Sequence, residues 1–275
     1  MYSGTTFRTK SGRVGGAHQK IDRVARRHMA ELLDKKFSFP TAQQIVHFEG
    51  LNGPDGIKRK SPGKDEPWHF IDPKNPDGRL LTSVHQHAAN LTMALVAKNN
   101  TRAAFEASWL AHAVTDGLTP AHHEAFEDKL AKIRGEELET RNSLRKKIVM
   151  PGGGSTKMFI KNNWEFWGAR GMMSTHMLFE IGIATTIKPL KFESSKPSPN
   201  DLIRLRQDGF DKLFFEALHD IASLNMYELF KKSGWTRRMA QLTKSKLVPI
   251  IIRTVILAWY DSYERAVEKT KRTHS

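Results

Sequence analysis

Apolar residues recur at helical spacing along nearly the whole chain and almost never alternate, which restricts the fold to one assembled from helices. Residues 18–36 set the pattern, with Ile21, Val24, Ala25, Met29, Leu32 and Leu33 on one helical face. A shorter helix is predicted over 41–48, opened by Pro40, and others over 79–98, 101–116, 121–147, 164–183, 201–232, 236–242 and 247–269. The expectation is an all-α protein. Residues 51–77 are rich in glycine and proline and read as a long loop. So long a loop in a compact domain needs a reason, and metal ligation is one. Pro151 and Gly152 to Gly154 break the chain again, as a flexible hinge or lid, and residues 188–199 read as a polar linker. The predicted organisation is a basic polar segment over 1–16, one helical domain over 17–270 with an insertion at about 127–163, and a tail over 271–275.

The chain has no cysteine, which excludes disulfides and thiolate ligands. A tightly held metal must therefore use imidazole, carboxylate or backbone groups. Lysine and arginine number 44 against 29 acids, an excess of 15 that draws polyanions, either nucleic acid or anionic phospholipid. The basic clusters are scattered, at Arg26 and Arg27, Lys58 to Lys60, Arg145 to Lys147, Lys231 and Lys232, and Arg237 and Arg238. That suits a solvated surface that steers ligands better than one binding stripe. The first sixteen residues are polar, glycine-rich and basic, without the apolar core of a secretory signal, so the chain as written is expected to be cytoplasmic. The longest apolar run, 247–260, is interrupted by Pro249 and Arg253 and reads as a buried helix instead of a membrane span.

The residues that carry chemistry are histidines paired with acids. His112 and Asp116 stand four apart on a predicted helix and so share a face; His176 and Glu180 repeat the spacing. His122 follows Asp116 across Gly117 and Pro120. His18 and Asp22 are a third such pair, which could equally be a surface helix pair. Imidazole nitrogen and carboxylate oxygen are good zinc ligands, and a carboxylate can bridge two ions, which puts Asp116 in a central place. His85 and His87 lie two apart on a predicted helix, face different sides and read as a core contact and a surface residue instead of ligands. His123 beside His122 reads as a supporting or exposed residue, and His219-Asp220 as incidental.

The run H-x-x-x-D-x-x-x-P-x-H, present as His112, Asp116, Pro120 and His122, followed by H-x-x-x-E at His176 and Glu180, resembles the zinc-dependent phospholipases C of bacteria and the single-strand-specific nucleases of fungi. Trp68 to Asp72 resembles that family's H-F-x-D segment, and Ala17 to Ile21 its opening helix. The resemblance covers roughly residues 17 to 180 and implies an all-helical fold with a three-zinc site. It implies a first zinc held by His69, His112, Asp116 and a loop aspartate, Asp55, with Asp65 and Glu49 as rivals. A second is implied at His122, His176 and Glu180. A third would use His18 and the bridging Asp116, completed in the family by the amine and carbonyl of a terminal tryptophan. This chain has Met1 and about seventeen residues ahead of His18, so that chelate is expected to be missing, with the third zinc lost, replaced, or completed by a side chain such as His28 or by backbone. The separation of His122 from His176 is also longer than in the family.

The function implied by the resemblance is that of a phosphodiester hydrolase with two to three zinc ions and a zinc-bound hydroxide as nucleophile. Asp55 would orient that nucleophile or act as base. The substrate would be a phospholipid or a single-stranded nucleic acid, with Trp164 and Trp167 lining a substrate groove and transient contact with an anionic membrane. Family members are generally exported, which stands against the absence of a signal. The rival expectation, from another class, is a non-catalytic basic helical protein that binds nucleic acid or anionic membrane.

Overall fold

A computed structural model describes residues 1, 16–34, 37–57, 68–76, 78–123, 126–136 and 140–273. Among the described residues every regular element is helical and no strand is present. Thirteen α-helices appear in this part: α1 Ala17–Met29, α2 Ala42–His47, α3 Arg79–Val96, α4 Asn100–Gly117, α5 Phe126–Arg134, α6 Leu144–Ile148, α7 Thr156–Trp167, α8 Met172–Ile187, α9 Pro199–Asp208, α10 Phe210–Ser223, α11 Met226–Ser233, α12 Arg237–Leu242 and α13 Val248–Thr273. The rival ligand Asp65 and the basic run Lys58 to Lys60 lie outside the described residues.

The core is organised by α3, α4 and α13. A three-residue turn at Ala97 to Asn99 folds α3 back on α4, and the Asn99 side chain caps α4 by accepting from Arg102 N at 3.0 Å. The burial of α13 accounts for the long apolar run: Val248, Ile251, Ile252, Val255, Ile256 and Trp259 are all fully buried, and the helix packs across α1, α3, α4 and α10. Trp259 fixes its register, because the indole N–H donates to Ala107 O at 2.8 Å. No helix of the described residues is long and apolar enough to cross a membrane.

Four predicted helices end or divide where the sequence pattern runs on. Residues 18–36 stop being helical at Met29: the chain turns, packs Leu32 and Leu33 on the core and lets Asp34 N–H donate to Tyr263 Oη at 2.9 Å. Tertiary docking overrides local preference there. Residues 121–147 form a 3-10 turn at Pro120–His122 and then α5 and α6. Residues 164–183 divide between α7 and α8 at Gly168 to Gly171. Residues 201–232 divide into α9, α10 and α11 at Gly209, with φ +80° and ψ 164°, and at Asn225, with φ +50°. The Gly209 conformation is open essentially only to glycine. The chain leading into Gly152 is tied to α7: Asn162 Nδ2 donates to Pro151 O at 2.7 Å, and Asn163 both donates to Met150 O and accepts from Met150 N. Beneath them a small second core of Leu130, Met150 and Phe166 is separate from the main one.

Candidate metal centre

Helix α4 is the element most enclosed by others, and it carries His112 and Asp116 one turn apart near its C-terminal end, both buried. Helix α1 lies alongside with His18 on its buried face, so the His18 ring stacks on His112 at 4.1 Å with an 11° tilt. After α4, Pro120 opens the 3-10 turn that delivers His122. That turn holds the segment carrying His69 by two bonds: Ile71 N–H donates to His122 O at 3.1 Å and His122 Nδ1–H donates to His69 O at 3.0 Å. Trp68 steadies the same segment, with the Arg79 guanidinium 3.4 Å over its ring. Helix α8 presents His176 and Glu180 from the far side.

Asp55 arrives on two consecutive 3-10 turns, Gly50–Asn52 and Pro54–Gly56. They pack so closely that a Cβ on Gly56 would stand 2.2 Å from Leu51 O. Only glycine permits that approach.

These elements bring every described candidate ligand to one place, around the two oxygens of Asp116. Oδ2 lies 2.6 Å from His69 Nδ1 and 3.1 Å from His112 Nε2, and Asp55 Oδ1 lies 3.7 Å from the same His112 nitrogen. Donor atoms of Asp55, His69 and His112 fall within 4.8 Å of one another, and this is the first donor set. The second is His122, His176 and Glu180, with Glu180 Oε1 3.0 Å from His122 Nε2 and 2.9 Å from His176 Nε2. The third forms on Asp116 Oδ1, 3.1 Å from His18 Nε2.

A backbone group lies beside the third set. The buried Met1 ammonium donates to Asp116 Oδ1 and lies 3.2 Å from Glu180 Oε1 and 3.5 Å from His122 Nε2, so an α-amine is present beside His18. The chain between Met1 and His18 is long enough to allow this return. His28 plays no part, since its Nε2 pairs with Phe192 O at 2.9 Å. Asp22 is buried with His18 instead of forming a surface pair with it. Burial and the neighbouring Glu49 push its carboxyl well above the ordinary range.

Glu49 separates from Asp55 by which face of His112 it meets. Fully buried, it accepts the Nδ1–H of His112 at 3.2 and 3.3 Å on its two oxygens, with further bonds from Gly50 N–H and the Ser108 hydroxyl. That position suits a residue that orients an imidazole, leaving Nε2 for Asp55 and Asp116; a Glu49 oxygen also lies within 4.8 Å of donor atoms of His18 and His112, a further group that could hold an ion. Sequence reasoning missed this role and the Met1 amine. It also missed the aromatic wall beside the second set, where Phe126 stacks on Phe70 at 5.0 Å and meets His176 edge-on at 5.7 Å. His123 turns away, its Nε2–H donating to Gly117 O at 2.9 Å. His85 pairs with Asp211 at the surface, and His87 with the buried Glu106. Trp164 and Trp167 stand exposed on α7, with the Trp167 indole donating to Ile148 O.

Three features fit these sets to divalent cations. First, His18 Nε2 and His112 Nε2 are buried, close to Asp116, and not aligned for a hydrogen bond with any group. Buried polar nitrogens left in that state are costly unless something shared lies between the donors. Second, burial and the Met1 ammonium push His122 down to about 4, so its ring is neutral. With its Nδ1–H given to His69 O, the unprotonated Nε2 faces a Glu180 oxygen at 3.0 Å and the Met1 ammonium at 3.5 Å, an arrangement that positive charge makes attractive. Third, burial would raise Asp116 and Glu180, yet the Met1 ammonium and the surrounding histidines hold both well below the carboxylate range. Burial would likewise raise Asp55, and His112 and His69 hold it low. Ionised acids and a neutral His122 are the states that metal binding requires. Burial disfavours positive charge on His112 and on Met1, but Asp116 and the other acids raise His112 well above its usual range and the Met1 amine to about 10. The acids thus draw positive charge into the centre. The buried groups could hold metal ions, and an imidazole and carboxylate set without sulfur suits zinc and its neighbours. Comparison with models of known protein families, with curated proteins and with solved structures found no match.

Proposed function

We propose that this chain is a zinc-dependent phosphodiester hydrolase of the type resembled in its histidine and acid motifs, with a fold akin to the zinc phospholipases C and single-strand nucleases. The observation that carries this reading is the gathering of His18, His69 and His112 around the two oxygens of one buried aspartate, Asp116, beside a second donor set of His122, His176 and Glu180. His69, His112 and Asp55 would hold one ion, His122, His176 and Glu180 a second, and His18 with the Met1 amine a third, with Asp116 as a further carboxylate ligand. Zinc, when bound, supplies Lewis acidity toward a phosphoryl oxygen and makes a neighbouring water acidic near neutral pH.

The chain's own residues do the rest. Asp55 keeps 37% of its side chain exposed, alone among the acids of the first set in reaching solvent. Its ionised carboxylate is placed to accept a hydrogen bond from an attacking water and to take its proton. Glu49 holds His112 in one orientation. Phe70 and Phe126 keep the flank of the second set dry, which strengthens electrostatic interactions inside.

Hydrolysis of a soluble chromogenic phosphodiester by the metal-loaded chain, compared with Asp116→Asn, tests the proposal. A fall of at least about a hundredfold is expected in the variant, as for loss of a group that stabilises developing charge. Undiminished turnover in Asp116→Asn would reject it, and a chain that binds polyanions without turnover would favour the non-catalytic alternative.

A further inference from the structure

A helix on the surface of a soluble protein ordinarily turns its polar face outward. Helix α7 also turns apolar residues outward. Only Asn162 and Phe166 of its twelve residues are buried, and its outward stripe carries Ile160, Trp164 and Trp167 at i, i+4 and i+7, with Ile160 63% and Trp164 70% exposed. The neighbouring α8 continues the patch with Met177, Leu178 and Ile181, of which Leu178 is 53% exposed. Exposed apolar groups collected on two packed helices in this way mark an interaction surface.

The patch adjoins the metal centre. The inner face of α8 carries His176 and Glu180, and Met177 and Leu178 follow directly on its outer face. Phe126 touches His176 and also belongs to the small core under α7, so the wall of the centre and the base of the patch are one packed unit.

Charge selects the partner. Between Leu144 and Lys188 the sequence has seven basic residues and two acids, and one of those acids is the inward Glu180. Lys157 and Lys161 lie on the flank of the α7 stripe, Lys161 paired with Glu165 at 3.7 Å, with Arg145, Lys146 and Arg170 exposed nearby. An apolar stripe with tryptophan, edged by lysines whose stems can reach back to water, is the pattern of a helix lying in a membrane interface. Nucleic acid fits less well: bases stack on rings, and most of this patch is aliphatic.

We infer that the outward faces of α7 and α8 form a docking surface for an anionic phospholipid bilayer, and that the phosphodiester cleaved at the adjoining centre is that of a lipid. The second half rests on the hydrolase proposal; the docking surface does not.

Full-length chain is sedimented with vesicles of phosphatidylcholine and of phosphatidylcholine containing phosphatidylglycerol. Binding to the anionic vesicles is expected, weakening with salt, with a blue shift of tryptophan fluorescence. Ile160→Asp, at a position too exposed to disturb the core, is expected to lower vesicle affinity at least about tenfold, the worth of withholding one isoleucine from burial. The same variant should hydrolyse a soluble phosphodiester as fast as the unaltered chain. Failure of the unaltered chain to bind either vesicle, or equal binding by Ile160→Asp, would overturn the docking surface, as would a solution dimer or a single-stranded DNA complex that Ile160→Asp disrupts. Vesicle binding with no hydrolysis of either soluble or lipid diesters would refute the hydrolase reading and leave the docking surface standing.

Discussion

Replacing Glu49 by glutamine separates a metal centre from a set of buried polar groups. Glu49 is fully buried, and its contacts are the His112 Nδ1–H on both oxygens, Gly50 N–H at 3.3 Å and the Ser108 hydroxyl at 3.4 Å. Glutamine keeps the shape, and its amide oxygen can still accept from His112. What is lost is the charge. A hydrogen bond to a charged group contributes about 1.5–3 kcal/mol and a neutral one about 0.5–1.5 kcal/mol, so the change weakens the hold on His112 by roughly 1–2 kcal/mol. At 1.4 kcal/mol per decade that is between about fivefold and thirtyfold in metal affinity, within the range known for residues that orient a ligating histidine. The loss should be confined to the ion at Asp55, His69 and His112. His122, His176 and Glu180 make no contact with Glu49, and their ion should be held as before. Zinc titration against a competing chromogenic chelator, with melting curves to confirm folding, reads both affinities. If Glu49→Gln folds normally and every ion binds as in the unaltered chain, the assignment of Glu49 as the orienting group is refuted.

Other perturbations test further parts of the same geometry. Gly56→Ala places a Cβ 2.2 Å from Leu51 O and must shift the turns that carry Asp55, so phosphodiesterase turnover should fall at least about tenfold for a modest loss of melting temperature; equal losses in both would contradict it. Trp259→Phe withdraws a fully buried indole N–H from Ala107 O and leaves a void, which should cost about 1–3 kcal/mol in urea unfolding. Burial lowers His123 to about 4, below the 6.5 of a free histidine. The unfolded chain therefore gains protons that the fold refuses, and the stability this ring contributes above pH 6.5 is lost as pH falls toward 4. Between pH 7 and 5 the metal-free chain should lose about 2 kcal/mol more than His123→Gln, as measured by urea unfolding at each pH.

The helices were legible because burying one face imposes a period, and α3, α4 and the apolar part of α13 stand close to where that period put them. Their interruptions were less legible. Gly209 and Asn225 end helices through positive φ, and neither residue type demands that conformation in every context. Met29 ends α1 because Tyr263 captures the next turn, a contact 229 residues away in sequence. In the centre, His112 with Asp116 and His176 with Glu180 could be read directly, since i, i+4 spacing fixes a shared face before any tertiary structure exists. His69 lies on irregular chain and Asp55 on a three-residue 3-10 turn, too short for a period to show, and only the resemblance singles them out. The Met1 amine has no side-chain signature, and the role of Glu49 depends on which nitrogen of His112 it meets. Trp164 and Trp167 read from the sequence as candidates to line a groove, but periodicity cannot tell an inward stripe from an outward one.

The central claim is that imidazoles and acids distant in sequence converge on divalent ions around Asp116. Elemental analysis of the full-length chain, purified without chelator and dialysed, tests it most directly. About two to three zinc ions per chain are expected, one for each donor set, falling by at least one in Asp116→Asn. A folded chain that retains no stoichiometric divalent metal, before or after incubation with zinc, would contradict the account.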